Sequence, residues 1–238
     1  RCIITLGGDG TNRVVAKGAR KVPILPISTG TNNVFSFMVE ATIAGMAAGL
    51  LATDRTPLEE CVFHSTRLDI KLDGEVVDLA LVDVAVCGDL FVGSKAVWDM
   101  ARVSQIFLNR ADPGSIGLSA IGGCLHPLGA DEPGCLCLRI GGGEGCVVKA
   151  PVAPGVIDEV VVSEQKVMNV DEEVEIATVP SVLALDGERE VEVHRGQNAR
   201  IRLEKDGPLV VDVSRTMNSA MKRGVLVSTP KGTWRRDG

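Results

Sequence analysis

A chain of 238 residues suits one large domain or two smaller ones, and can bury roughly 70–75% of the surface that its unfolded form exposes. Its 25 basic and 31 acidic side chains leave a net charge of −6, which excludes nucleic-acid binding through bulk charge. Five Phe, two Trp and no Tyr leave little to stack on bases.

Residues 2–6 form a short apolar run that reads as a strand, followed by the turn Gly7-Gly8-Asp9-Gly10-Thr11 and a short helix over 12–17. A second apolar run, 22–27, leads into the polar loop 28–33. A long helix over 34–51 is expected next, capped by Asn32 or Asn33. Alternation of strand and helix argues for a parallel sheet, with both polar loops at the carboxyl ends of neighbouring strands, where open α/β sheets bind ligands. The most apolar stretch, 41–52, is too short to cross a bilayer, so no membrane partner is expected.

The style changes near residues 54–57. Asp73-Gly74 sits between two alternating runs and marks a tight hairpin. A helix is expected around 95–107 and a glycine-rich connection over 113–123. Strands are expected at 136–140, 146–149, 159–162, 174–179, 182–185, 190–194, 200–203 and 209–213. The expectation is therefore α/β plus β: an α/β domain at 1–56, a β-sandwich-like domain at 57–208, and a return segment with a loose tail at 209–238. Seven scattered cysteines lack the paired CxxC spacing of a zinc site and suggest reduced thiols in a cytoplasmic protein.

Four stretches carry the chemistry. The first turn is neither a Walker A loop nor a dinucleotide fingerprint. Its glycines nevertheless allow backbone N–H groups to face an anion at a helix N-terminus. Asp9 would repel a phosphate unless a cation or hydroxyl intervenes; the alternative is a tight turn in which Asp9 caps the helix. Ser28 to Asn33 supply hydroxyls and amides at the next strand end. Gly114, Ser115, Gly117, Ser119, Gly122 and Gly123 make a surface of small residues, either for a flat ligand or for close packing between layers. Asp186-Gly187-Glu188 alone reads as a hairpin turn, as does the identical Asp73-Gly74-Glu75. The three histidines stand apart, and no G-x-S-x-G elbow is present.

In the order GGDGT, STGTNN, glycine/serine stretch and DGE, the sequence resembles the superfamily of NAD kinases and diacylglycerol and sphingosine kinases. Its wording is most similar to the ATP-NAD kinase-like acetoin catabolism protein X family. The resemblance implies an α/β nucleotide-binding domain, a β-rich second domain and an active site in the cleft between them, with part of the first domain preceding Arg1. It also implies that Gly7, Gly8, Asp9, Gly10 and Thr11 form the phosphate-binding and catalytic turn. Gly30, Thr31 and Asn32 match the G-T-x-N loop, and Gly114-Ser115 the start of a nucleotide-contacting box. Asp186 and Glu188 match a late catalytic carboxylate pair.

The implied activity is ATP-dependent phosphorylation of a small-molecule hydroxyl, on NAD or another metabolite, with Mg²⁺ placed with help from Asp9 or Asp186 and with one of Asp9, Asp186 or Glu188 accepting the proton. The full set of metal ligands is left open, and a homo-oligomer is implied. Two departures stand out: Val82-Asp83 replaces the Asn-Glu pair that grips NAD, and Ile116-Gly117-Leu118 replaces the rest of the G-S-T-A-Y box. The alternatives are a non-catalytic nucleotide-binding accessory protein and a lipid kinase.

Overall fold

A computed structural model describes residues 1–88, 100–187 and 189–228. The first unit opens with β1 (Ile3–Leu6), α1 (Asp9–Ala19), β2 (Ile24–Ile27), α2 (Ala41–Ala52), α3 (Leu58–Cys61) and β3 (Val62–His64). β1 and β2 pair in parallel, Ile3 opposite Ile24. The sheet is completed from far along the chain by β15 (Leu209–Val211), in the order β1-β2-β15-β3. The closing helix, α5 (Val213–Lys222), packs beside α2 and α3. Leu25, Ala44, Ala48, Leu51, Cys61 and Val211 share a core on that face. Phe35, Leu81, Val82 and Val210 form a second cluster, with Ala16 of α1 packed against it.

The rest is β. β4 (Arg67–Leu72) and β5 (Glu75–Ala80) form the expected hairpin, with positive φ at Asp73 (52°) and Gly74 (90°), the conformation that a two-residue primed turn requires. They join β11 (Glu173–Glu175) and β14 (Ala199–Glu204) in a sheet ordered β11-β14-β4-β5. The larger sheet comprises β6 (Asp83–Cys87), β7 (Val103–Leu108), β8 (Cys135–Ile140), β9 (Cys146–Ala153), β10 (Val156–Met168), β12 (Ser181–Leu185) and β13 (Arg189–Val193). Its order is β13-β12-β6-β7-β8-β10-β9. Leu68, Ile70, Val84, Phe107, Leu183 and Ile201 fill the space between the two sheets, so the α/β plus β-sandwich architecture is present. The far face of the larger sheet is covered by the short helix α4 (Leu118–Gly123), with Ile106, Leu108, Ala120 and Ile121 in its core. Among the described residues no helix is long and apolar enough to cross a membrane.

Several elements differ from expectation. The first helix is longer than 12–17, because Gly8, not Asp9, is its N-cap. The helix expected over 34–51 begins only at Ala41. Its cap is Glu40, whose carboxylate accepts from the N–H groups of Thr42 and Ile43, rather than Asn32 or Asn33. Residues 34–36 are diverted because side chains elsewhere hold their backbone. Of the helix expected over 95–107, residues 89–99 lie outside the described residues, Met100–Arg102 form a 3₁₀ turn, and Val103 onward is β7. The strand expected at 174–179 is only Glu173–Glu175. The expected loose tail contains α5, capped by the Asp212 carboxylate, which accepts from the Arg215 N–H; residues 229–238 lie outside the described residues.

Candidate functional site

The glycine turn and the loop after β2 lie against each other. A Cβ on Gly8 would approach Asn33 Oδ1 to 2.8 Å, and one on Gly7 would approach Thr11 Oγ1 to 2.7 Å. Glycine at position 8 therefore permits the close approach to the loop, and glycine at position 7 leaves room for Thr11 of α1. Gly7 donates its N–H to the Ile27 carbonyl at 3.1 Å. Asp9 reaches across the gap: its carboxylate accepts from the N–H groups of Val34 at 2.8 Å, Phe35 at 2.9 Å and Ser36 at 3.4 Å. Burial pushes Asp9 above the usual carboxylate range, opposed by those three N–H groups and by Arg110.

Arg110, just after β7, grips the same loop from the other side. Its Nη1 donates to the carbonyls of Val34 (3.0 Å) and Phe35 (3.1 Å), its Nη2 to Ser65 Oγ (3.3 Å), and the guanidinium lies 4.3 Å over the Phe35 ring. Burial lowers Arg110 from 12.5 to about 10, with Asp9 and Asp186 opposing, so it stays cationic at neutral pH. Residues 34–36 are thus clamped between a carboxylate on their N–H groups and a guanidinium on their carbonyls. Sequence patterning did not indicate this clamp.

A second pair of carboxyls comes from the larger sheet. β6 and β12 are antiparallel neighbours with Ala85 opposite Ala184 and Val84 opposite Leu185. The pairing continues past the strand end, where Asp186 donates its N–H to the Asp83 carbonyl at 3.1 Å. Val84, Leu183 and Leu185 point into the sandwich, whereas Ala85 and Ala184 belong to the core on the far side. The two-residue alternation of a strand then places Asp83 on the Ala85 face. The Asp186 side chain has no exposed surface. Its carboxylate accepts from the N–H groups of Leu81 (3.1 Å), Val82 (2.8 Å) and Asp83 (3.3 Å), and lies 3.5 Å from Arg13 Nε of α1. Burial raises Asp186 to about 7, opposed by these N–H groups and by Arg13. Asp83 is driven well above the carboxylate range by burial, then by Asp186 and Asp9. Among the described residues no cation offsets it.

Asp9, Asp83 and Asp186 converge on one cavity of about 160 Å³, with Asn32 and Val34 on one side and Ile116, Gly117 and Leu118 on the other. A neighbouring crevice of about 460 Å³ shares Val34 and Ile116 with it and is walled by Thr31, Asn33, Ser36, Arg110, Gly114 and Ser115. Ser115 is held by its own loop, with its N–H and hydroxyl both donating to the Asp112 carbonyl. Of the residues singled out from sequence, Asp9, Asn32 and Asp186 line the smaller cavity, and Thr31, Gly114 and Ser115 the larger. Gly7, Gly8, Gly10, Thr11 and Gly30 line neither. Glu188 lies outside the described residues. Asp83 went unassigned in the sequence; its one signal was its place in the stretch that departs from the NAD-gripping pair.

Comparison with known proteins follows the same division. The sequence profile of the acetoin catabolism protein X C-terminal domain matches residues 66–206, and that of the ATP-NAD kinase N-terminal domain matches residues 1–55. Acetoin catabolism protein X of Cupriavidus necator is 36% identical over 235 residues, covering 96% of this chain but only 66% of that protein. Among solved structures, yeast NADH kinase complexed with NADH superposes with a TM-score of 0.51 at 16% identity, over 97% of this chain and 68% of its own. An NAD kinase from Archaeoglobus fulgidus in complex with ATP gives 0.47 at 14%, over 95% and 83%.

Proposed function

The chain belongs to the acetoin catabolism protein X family, and from that footing we propose that it is an ATP-dependent phosphotransferase acting on a small-molecule hydroxyl. The larger crevice takes the nucleotide, with Thr31, Gly114 and Ser115 along it and cationic Arg110 in its wall. The smaller cavity takes the acceptor. The observation that carries this reading is Asp83. Asp9 and Asp186 have their carboxyl oxygens engaged by backbone N–H groups, whereas no described donor reaches the carboxyl of Asp83.

Asp9 and Asp186 then act as positioning residues, one for the loop and one for the start of β6, and Asp83 handles the proton. In the transfer, the acceptor oxygen bonds to the γ-phosphorus and the bond from that phosphorus to the β–γ bridging oxygen breaks, releasing ADP. The hydroxyl proton passes to the ionised form of Asp83. The glycine turn serves by letting the loop close on it. No group of three or more His, Cys, Asp or Glu among the described residues is placed to hold a metal ion. Mg²⁺ therefore enters as the counter-ion of the nucleotide, in keeping with its preference for phosphates, water and few carboxylates.

The test is transfer of label from γ-labelled ATP by the full chain to a panel of hydroxylated metabolites, beside measured nucleotide binding. Asp83→Asn should remove turnover and leave ATP affinity within about twofold, since Asp83 does not line the crevice. Undiminished turnover in that variant would defeat the assignment. Nucleotide binding without transfer to any compound would favour the accessory-protein reading instead, which the engagement of Asp9 and Asp186 by backbone already supports.

A further inference from the structure

The smaller cavity has a marked charge character. Three carboxyl groups face it, and no Lys, Arg or His lines it among the described residues. Two arginines lie close by without lining it: Arg13, 3.5 Å from Asp186 and 3.9 Å from Asp78, and Arg110, which donates to the 34–35 carbonyls. The opposite wall is apolar, made by Ala85, Ile116, Leu118, Val152 and Ala184. The cavity opens to solvent on one side, and its volume of about 160 Å³ is close to the ~150 Å³ of an engineered cavity that accepts benzene, which suits a ligand of roughly six heavy atoms.

Resting on the reading of this cavity as the acceptor site, we propose that its acceptor is a small, uncharged, polyhydroxylated molecule of a few carbons. Its adjacent hydroxyls would face Asp83 and Asn32 and its carbon edge the apolar wall. Acids, phosphate esters and dinucleotides are excluded. A carboxyl group has two oxygens at the spacing of neighbouring hydroxyls, and Asp83 has both available. Burial already disfavours charge on Asp83 and Asp186, and Asp186 and Asp9 disfavour it further on Asp83, so a bound anion would meet the same opposition. With no cation lining the cavity to answer it, a further negative charge is rejected by repulsion and by its own desolvation.

Ligand-observed NMR on the full chain, with ADP and Mg²⁺ present, tests this directly. The probes are glycerol and erythritol against glycerate, glycerol 3-phosphate and NAD. The neutral probes should bind in the millimolar range and the anionic ones at least about tenfold more weakly. Asp83→Ala should weaken erythritol about tenfold, the usual loss for one hydrogen bond to a carboxyl. Asp83→Asn, nearly the same size, should narrow the gap between glycerol and glycerate.

Glycerate or NAD binding as tightly as glycerol to the unsubstituted chain overturns the proposal. So does failure of both neutral probes to bind at tens of millimolar, or an unchanged gap in Asp83→Asn. Label transfer in parallel separates this proposal from the one on which it rests. Transfer to NAD would sustain phosphotransfer and refute the neutral acceptor. Polyol binding that depends on Asp83, without transfer, would sustain the neutral ligand and refute phosphotransfer.

Discussion

Asp186 offers the sharpest test of the site's electrostatics. It is held at about 7 against an ordinary 3.8, chiefly by burial. Between those values the folded chain binds more protons than the unfolded one, so stability is highest on the acid side and falls as pH rises. The fall is complete once pH exceeds the folded value of about 7. At about 1.4 kcal/mol per pKa unit, ionising Asp186 costs roughly 4 kcal/mol in all, of which roughly 2–3 falls between about pH 5 and pH 8. Asp186→Asn is nearly isosteric and cannot ionise. It also relieves Asp83, which Asp186 helps to raise, and this acts in the same direction. Urea unfolding of both proteins at the two pH values should show the unsubstituted chain losing roughly 2–3 kcal/mol more than the variant. That is on the order of 1 M in midpoint at a slope of about 2–3 kcal/mol/M. If the two proteins change in parallel, Asp186 is not a buried, destabilised carboxyl and the reasoning fails.

Two further substitutions probe the frame of the crevice. In Gly123→Ala the new Cβ would meet Pro113 N at 2.2 Å and Asp112 C at 2.3 Å, both backbone atoms that cannot turn aside. A loss of roughly 1–3 kcal/mol is expected, with weaker nucleotide binding as residues 112–115 are displaced; an unchanged urea midpoint and unchanged affinity would contradict it. Arg110→Met leaves the Val34 and Phe35 carbonyls and the Ser65 hydroxyl without their donor. It should cost roughly 2–4 kcal/mol and speed hydrogen exchange selectively at the Val34, Phe35 and Ser36 amides that Asp9 holds, while exchange at Ile70 in the sandwich core keeps its order among the slowest.

The first strand, turn and helix were legible because an apolar run, a glycine cluster and a periodic segment leave little choice of conformation. The Asp73-Gly74 hairpin was legible for the same reason. Long-range polar capture was not. Apolar periodicity does run back towards Val34, but Asp9 and Arg110 hold residues 34–36 in another conformation, and Glu40 starts the helix instead. Residues 103–107 fall within the helix expected over 95–107, although the partners β6 and β8 make Val103–Leu108 a largely buried strand. Asp83 shows the limit most clearly. Its proposed role depends on Asp186 meeting it across a strand pair, and the register of β6 and β12 sets that meeting.

The return of residues 209–211 to the first sheet bears on how the molecule comes to exist. β2 pairs with β1 on one edge and, through Ile24 and Val210, with β15 on the other. As the chain leaves the ribosome, that second edge stays open until almost all of the β-sandwich has been made. Val210 and Val211 then fill the middle of two cores that the earlier residues cannot close alone. The α/β unit is therefore a frame completed only after the strands of the sandwich inserted in it. Ordering of the Asp9 loop, which rests on that frame, waits for residues 209–211, and the slow step of folding should be this distant strand pairing.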